Sequence, residues 1–175
     1  MGWLDFFKRK QPSAPAVTQP PEIGLDEFLG SSLSEDYLGK AAEAGHKAKA
    51  AVKEHRFDDA WRLYHEQKSL YMQHAKACQF TGRQTLALDA SVSEQLANIL
   101  RIEKKHDDAL AHILYCALTS RSTKALQNKL PIYFKRCCFQ HAQFDAVGAM
   151  TQSQITWTFN KIKDRVRQWR VGAAT

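Results

Sequence analysis

Three pairs of soft metal ligands lie four residues apart in this chain: His74 with Cys78, His112 with Cys116, and Cys137 with His141. A spacing of four brings a side chain back to the same side of a helix one turn on. Each pair could therefore share a zinc ion through an imidazole nitrogen and a thiolate. With seven His and four Cys in 175 residues, chance supplies well under one such pair. None has the Cys-x-x-Cys form of zinc folds, and a cysteine at a helical core position ordinarily packs as a small hydrophobe. The expectation is a chain with no resident cofactor, and these six residues are the alternative ligand set of a metal-binding helical protein.

Positive charge is the second chemical resource. The formal net charge is +7, and the excess sits in the last third, where Asp145 and Asp164 are the only acids after Arg121. Lys161, Lys163, Arg165, Arg167 and Arg170 form a basic patch on the final helix, beside Trp157 and Trp169. Such a face attracts an acidic partner protein, or tracks nucleic-acid phosphates while aromatics stack on bases. None of the base-reading modules is present, so nucleic-acid association is the alternative rather than the leading reading.

Aromatic side chains supply two further candidate surfaces. Tyr64, Tyr71 and Tyr115 lie on helical stripes and become partner contacts if they project into a concave side. Trp3, Leu4, Phe6 and Phe7, followed by Lys8-Arg9-Lys10, form an apolar N-terminal peptide suited to docking on a protein. Nothing has the spacing of a metalloprotease, a phosphate-binding glycine loop, a dinucleotide fingerprint or a nucleophile elbow. No catalysis is expected.

The elements that must position these residues are helices. Four of the five prolines fall in residues 11–21, where a chain without amide donors forms an extended linker. Residues 1–31 are therefore read as the apolar peptide and its Pro-rich linker, extended or disordered, and residues 32–172 as the folded domain. Ser32 with Glu35 predicts a capping box and a first helix from Leu33, with Leu38, Ala41, Ala44, Ala48 and Val52 on one face. Asp58 and Asp59 open a second helix, carrying Ala60, Tyr64, Tyr71, Ala75 and Cys78, with a stop at Thr81-Gly82.

The same pattern then returns. Ser91 with Glu94 has the form of another capping box, with Val92, Leu96, Ile99 and Leu100 as the next apolar face, and a start near Thr85 is the alternative. Asp107-Asp108-Ala109 repeats Asp58-Asp59-Ala60 and enters a helix with Ile113, Leu114 and Cys116. A third copy runs from Pro131, placed in the first turn of a helix, through Ile132, Phe134 and Cys138 to a turn at Gln143–Ala146. The last helix carries Ile155, Phe159, Ile162, Val166 and Trp169. The fold class is all-α, with about six to seven helices in antiparallel hairpins, because connections of a few residues force neighbours antiparallel.

Phe57, Ala60 and Tyr64, with Ala48 before them, resemble the turn aromatic, small residue and following aromatic of the tetratricopeptide hairpin. Ala97, Ala109 and Ile113 take the matching places in the second unit, with His106 where that family has its turn aromatic. The two Asp-Asp-Ala turns are 49 residues apart, longer than that family's period of about 34. The resemblance covers roughly residues 41–120 and implies a curved stack whose surface grips a protein segment, as an adaptor, chaperone or inhibitor of a toxin or enzyme.

No run of eighteen apolar residues occurs, so no membrane-spanning helix is expected. The opening decapeptide has its charge after its apolar part, the reverse of an export signal. Four cysteines without a disulfide framework fit reduced thiols, so the expected location is cytoplasmic.

Overall fold

The computed structural model of the protein describes residues 35–119, 124–139, 141–153 and 155–172. The N-terminal peptide with Trp3, Leu4, Phe6 and Phe7, the linker, and the predicted Ser32 cap lie outside the described residues. Everything described is helix or short connection, with no strand among the described residues. No described helix is long and apolar enough to cross a membrane.

Eight helices form among the described residues: α1 (Tyr37–Lys53), α2 (Phe57–Ala77), α3 (Gly82–Ala90), α4 (Ser93–Ile102), α5 (His106–Thr119), α6 (Lys124–Arg136), α7 (His141–Gln152) and α8 (Phe159–Gly172). The count is seven if α3 and α4 are taken as one helix bent at Ser91-Val92. Both of those residues keep right-handed helical angles. The Ser91 hydroxyl donates to the Leu88 carbonyl at 2.7 Å, the local side-chain bond by which serine bends a helix. Ser91 is thus a bend rather than the predicted cap.

The capping box belongs to Thr81, whose hydroxyl accepts from the Gln84 amide while the Gln84 side chain accepts from the Thr81 amide. Thr81-Gly82 begins α3 instead of ending α2. α1 starts later than predicted, at Tyr37, where the Asp36 carboxylate accepts from the Gly39 amide at 2.7 Å. Leu38 is 46% exposed, one turn ahead of the buried stripe.

Helices α1, α2, α4 and α6 end with a residue in left-handed backbone: His55, Gln79, Lys104 and Cys138, with φ between 51° and 63°. After α1, the His55 amide bonds the Val52 carbonyl and the Arg56 amide bonds the Ala51 carbonyl. Gln79 with Phe80, and Lys104 with Lys105, repeat that double bond. This motif satisfies the orphan carbonyls of a helix end and reverses the chain within three or four residues. Both Asp-Asp-Ala corners therefore stand where the sequence places them, at the first turns of α2 and α5.

The third corner does not. The chain turns at Cys138, and Gln143–Ala146 lies inside α7. Pro131 sits in the interior of α6 rather than its first turn, and Ile132 is 52% exposed. Leu130, Tyr133, Phe134 and Cys137 form the buried side instead.

Two cores result. α1 lays Ala41, Ala44, Ala48 and Ala51 against α2, joining Ala60 and Tyr64 and the Val92, Leu96 and Ile99 side of the bent helix. α5 is buried without interruption from Ala109 to Ala117. α3, α4, α6 and α8 pack around it, the arrangement expected of a helix that is apolar on all sides. α8 closes that core with Ile162, Val166 and Trp169; Ile155, 57% exposed, precedes the helix and stays outside it.

Candidate binding clefts

Tyr64 and Tyr71 meet in one groove. α1 brings Gly45, His46 and Lys49; α2 brings Tyr64, Gln67 and Tyr71; the bend and α4 bring Ser91 and Gln95. The groove encloses about 320 Å3. Tyr64 is only 3% exposed and forms its floor, and Tyr71 is half-buried. The Gln67 amide donates to the Tyr71 hydroxyl at 3.1 Å. Gly45 is what lets α1 approach: a Cβ there would stand 2.8 Å from the Gln67 amide nitrogen. Among the described residues no acidic side chain lines the groove, and His46 and Lys49 are its ionisable basic residues.

Tyr115 is elsewhere and is not a surface contact. At 1% exposure it donates its hydroxyl to Asp89 at 2.7 Å, and Asp89 also pairs with Lys68 at 3.1 Å. Burial and the Asp89 carboxylate raise the phenol's pKa well above its usual range. The Lys68–Asp89–Tyr115 chain ties α2, α3 and α5 together. Sequence spacing could not show it, because Tyr115 and Asp89 are 26 residues apart.

A larger, more apolar cleft of about 860 Å3 opens at the far ends of α3 and α5. Leu86, Leu118, Ile155 and Trp157 line it, hydroxyls rim it, and Arg83 is its one charged lining residue among the described residues. The Trp157 indole is anchored by donating to Ser153 Oγ at 3.0 Å.

The basic patch is largely engaged within the molecule. Arg170 clamps Asp107 with two nitrogens, donates to the Cys137 carbonyl at 2.9 Å, and lies over the Phe139 ring. Lys163 pairs with Asp108 at 3.2 Å and Arg167 with Asp164 at 3.7 Å. Lys161 and Arg165 have no carboxylate partner among the described residues. The Asp-Asp corner that opens α5 is thus also the counter-charge for α8.

The six candidate metal ligands are not brought together. His112 is buried between the Phe159 ring, 4.4 Å between centroids, and Trp61 at 6.1 Å. Its Nδ1 has no hydrogen-bond partner among the described residues. Burial first, then the charge of Lys68, pushes its pKa down to about 3, so it is neutral throughout the physiological range. Cys116 is buried one turn on. Cys137 is buried with its sulfur 3.3 Å from the His106 carbonyl oxygen, and burial pushes its thiol up to about 12. The side chain of His141 lies outside the described residues. His74 and Cys78 alone face solvent as a pair, with Sγ 3.7 Å from each ring nitrogen. No group of three or more His, Cys, Asp or Glu able to hold a metal ion occurs among the described residues. Compared with known proteins, the chain matches no family model, no curated protein and no solved structure.

Proposed function

We propose that this protein is a non-catalytic binding module, a tetratricopeptide-like stack that holds an extended segment of another protein in the groove between α1, α2 and α4. The observation that carries the reading is the groove itself. Two successive hairpins wall it, tyrosines floor it, Gln67 and Gln95 present amides, and His46 and Lys49 stand without an acidic neighbour in the lining. Side-chain amides pair with peptide groups as both donors and acceptors, and unopposed basic residues favour a segment carrying carboxylates.

Two further features support it. The turn residues Lys104 and Cys138 are 34 positions apart, the period of the family the sequence resembles. The nucleic-acid reading loses ground because Lys163, Arg167 and Arg170 are neutralised within the fold. Adaptor, chaperone and inhibitor roles in the cytoplasm all use such a groove.

The test is selection from a displayed random-peptide library. Enriched peptides should be acidic, and their affinity should fall by about tenfold or more in Gln67→Ala/Tyr71→Ala, about 1.4 kcal/mol. Ile155→Ser in the apolar cleft should leave it unchanged. Selected peptides indifferent to the groove substitutions would reject this reading.

A further inference from the structure

We propose that the apolar cleft at the ends of α3 and α5 is a second binding site, which takes a free small amphiphile with a long aliphatic body and one carboxylate head. At about 860 Å3 it has the size of a small-molecule site, for which ~300–1,000 Å3 is usual. Leu86 from α3, Leu118 from α5, and Ile155 and Trp157 from the connection between α7 and α8 form its walls. Ile155 is 57% exposed, so apolar surface stands in water there until an occupant covers it.

The polar groups of the rim select against a peptide as that occupant, because most of their hydrogens are already committed. Thr85 donates to the Thr81 carbonyl at 3.1 Å, Thr119 to the Tyr115 carbonyl at 2.6 Å, and Ser153 to the Met150 carbonyl at 2.8 Å. The Trp157 N–H is committed to Ser153. A peptide segment carries a carbonyl acceptor and an amide donor at nearly every residue, and against these walls it would bury them without partners. A hydrocarbon chain needs none.

Charge sets the head group. Arg83, in the first turn of α3, is the one charged lining residue among the described residues and pairs with no carboxylate among them. Its guanidinium presents a planar fork of donors that matches the two oxygens of a carboxylate. Arg83 is exposed, so the ion pair forms at the edge of the cleft while the chain lies against Leu86, Leu118 and Trp157. The groove between α1, α2 and α4 has the opposite character, with Gln67, Gln95 and tyrosines in its lining. The two sites differ in chemistry as well as position.

The experiment titrates dodecanoate, held below its micelle concentration, into the full chain by isothermal calorimetry, with dodecyltrimethylammonium as the same chain under the opposite charge. Dodecanoate should bind one per chain and about fivefold more tightly than the cation. Arg83→Glu should invert that preference, an outcome that misfolding would not produce. Ile155→Ser should weaken both ligands about fivefold by removing apolar contact, with circular dichroism unchanged. Gln67→Ala/Tyr71→Ala should leave dodecanoate affinity unaltered, so this proposal and the peptide-groove reading fail separately. Absence of saturable binding, a preference for the anion that survives Arg83→Glu, or uptake of many dodecanoates per chain indifferent to Ile155→Ser would overturn the proposal. So would capture by phosphatidylglycerol vesicles that Ile155→Ser abolishes, without binding of free dodecanoate, since the cleft would then serve a membrane surface.

Discussion

The α1–α2 hairpin and the layer around α5 solve the same packing problem with opposite materials. α1 meets α2 through Ala41, Ala44, Ala48 and Ala51, with Gly45 admitting the Gln67 side chain. α5 meets its neighbours through Leu110, Ile113, Leu114 and Tyr115. Small side chains bury little area apiece, so the hairpin depends on close backbone approach and well-made helix ends. Large ones contribute about 1.5–3 kcal/mol each and need their volume filled. The hairpin should therefore resist enlargement, and the α5 layer should resist deletion.

The sharpest way to break that contrast is at Leu114, which has no exposed surface. Leu114→Ala should destabilise the protein by about 3–5 kcal/mol, transfer loss plus cavity, measured as a fall in urea midpoint at unchanged slope. A loss under about 1 kcal/mol would mean that the layer collapses around the gap and is no tighter than the hairpin.

Acid should act on the same layer. The folded His112 takes a proton only near pH 3, because its burial beside Phe159 and Trp61 disfavours the charged ring, whereas the unfolded residue takes one near 6.5. Between those values the unfolded chain binds more protons, so stability is complete above about pH 6.5 and declines as pH falls toward 3. Relative to a His112→Leu variant, the wild type should lose about 2 kcal/mol between pH 7.5 and 5. Equal slopes for the two proteins would show that the ring reaches solvent or a proton acceptor.

The hairpin answers to the opposite change. Ala48, fully buried at the α1–α2 seam, has no room for a larger group, and Ala48→Leu should cost about 1–3 kcal/mol through overpacking. Hydrogen exchange should show that cost as earlier opening of α1 amides with α5 protection kept, since the affected unit is peripheral.

The sequence reading succeeds where a signal is local. Phe57-Asp58-Asp59 and His106-Asp107-Asp108 carry acids at a helix's positive end, so both corners were visible, as were the stripes they separate. It fails where one residue type does two jobs. Ser91 has the form of a cap but bends a helix through Leu88. The third corner turns on Cys138, a residue with no preference for left-handed backbone, so nothing local distinguishes it from Gln143–Ala146. At the groove, Tyr64 and Tyr71 are legible as helical aromatics, while Gln67 and Gln95 carry no motif or apolar stripe that singles them out. The basic stripe of α8 was visible, yet its neutralisation was not, because Asp107 and Asp108 pair with it from a corner 55 or more residues away.

The smallest expected effect bears on why the two regions share the same ends despite different interiors. His55 closes the alanine hairpin and Lys104 closes the helix that leads into the large-residue core, both at φ near 60°. A side chain in that conformation carries a Cβ–carbonyl conflict of about 1 kcal/mol that glycine lacks, partly offset by glycine's greater freedom when unfolded. Lys104 is exposed and makes none of the observed ion pairs, so Lys104→Gly should raise stability by about 0.5–1 kcal/mol, read as a higher urea midpoint. His55→Gly forfeits the edge contact with Phe57, 5.8 Å between centroids, and should gain less. A larger gain at His55 than at Lys104 would show that the ring contact contributes nothing, and that the hairpin is held by its alanine seam and backbone alone.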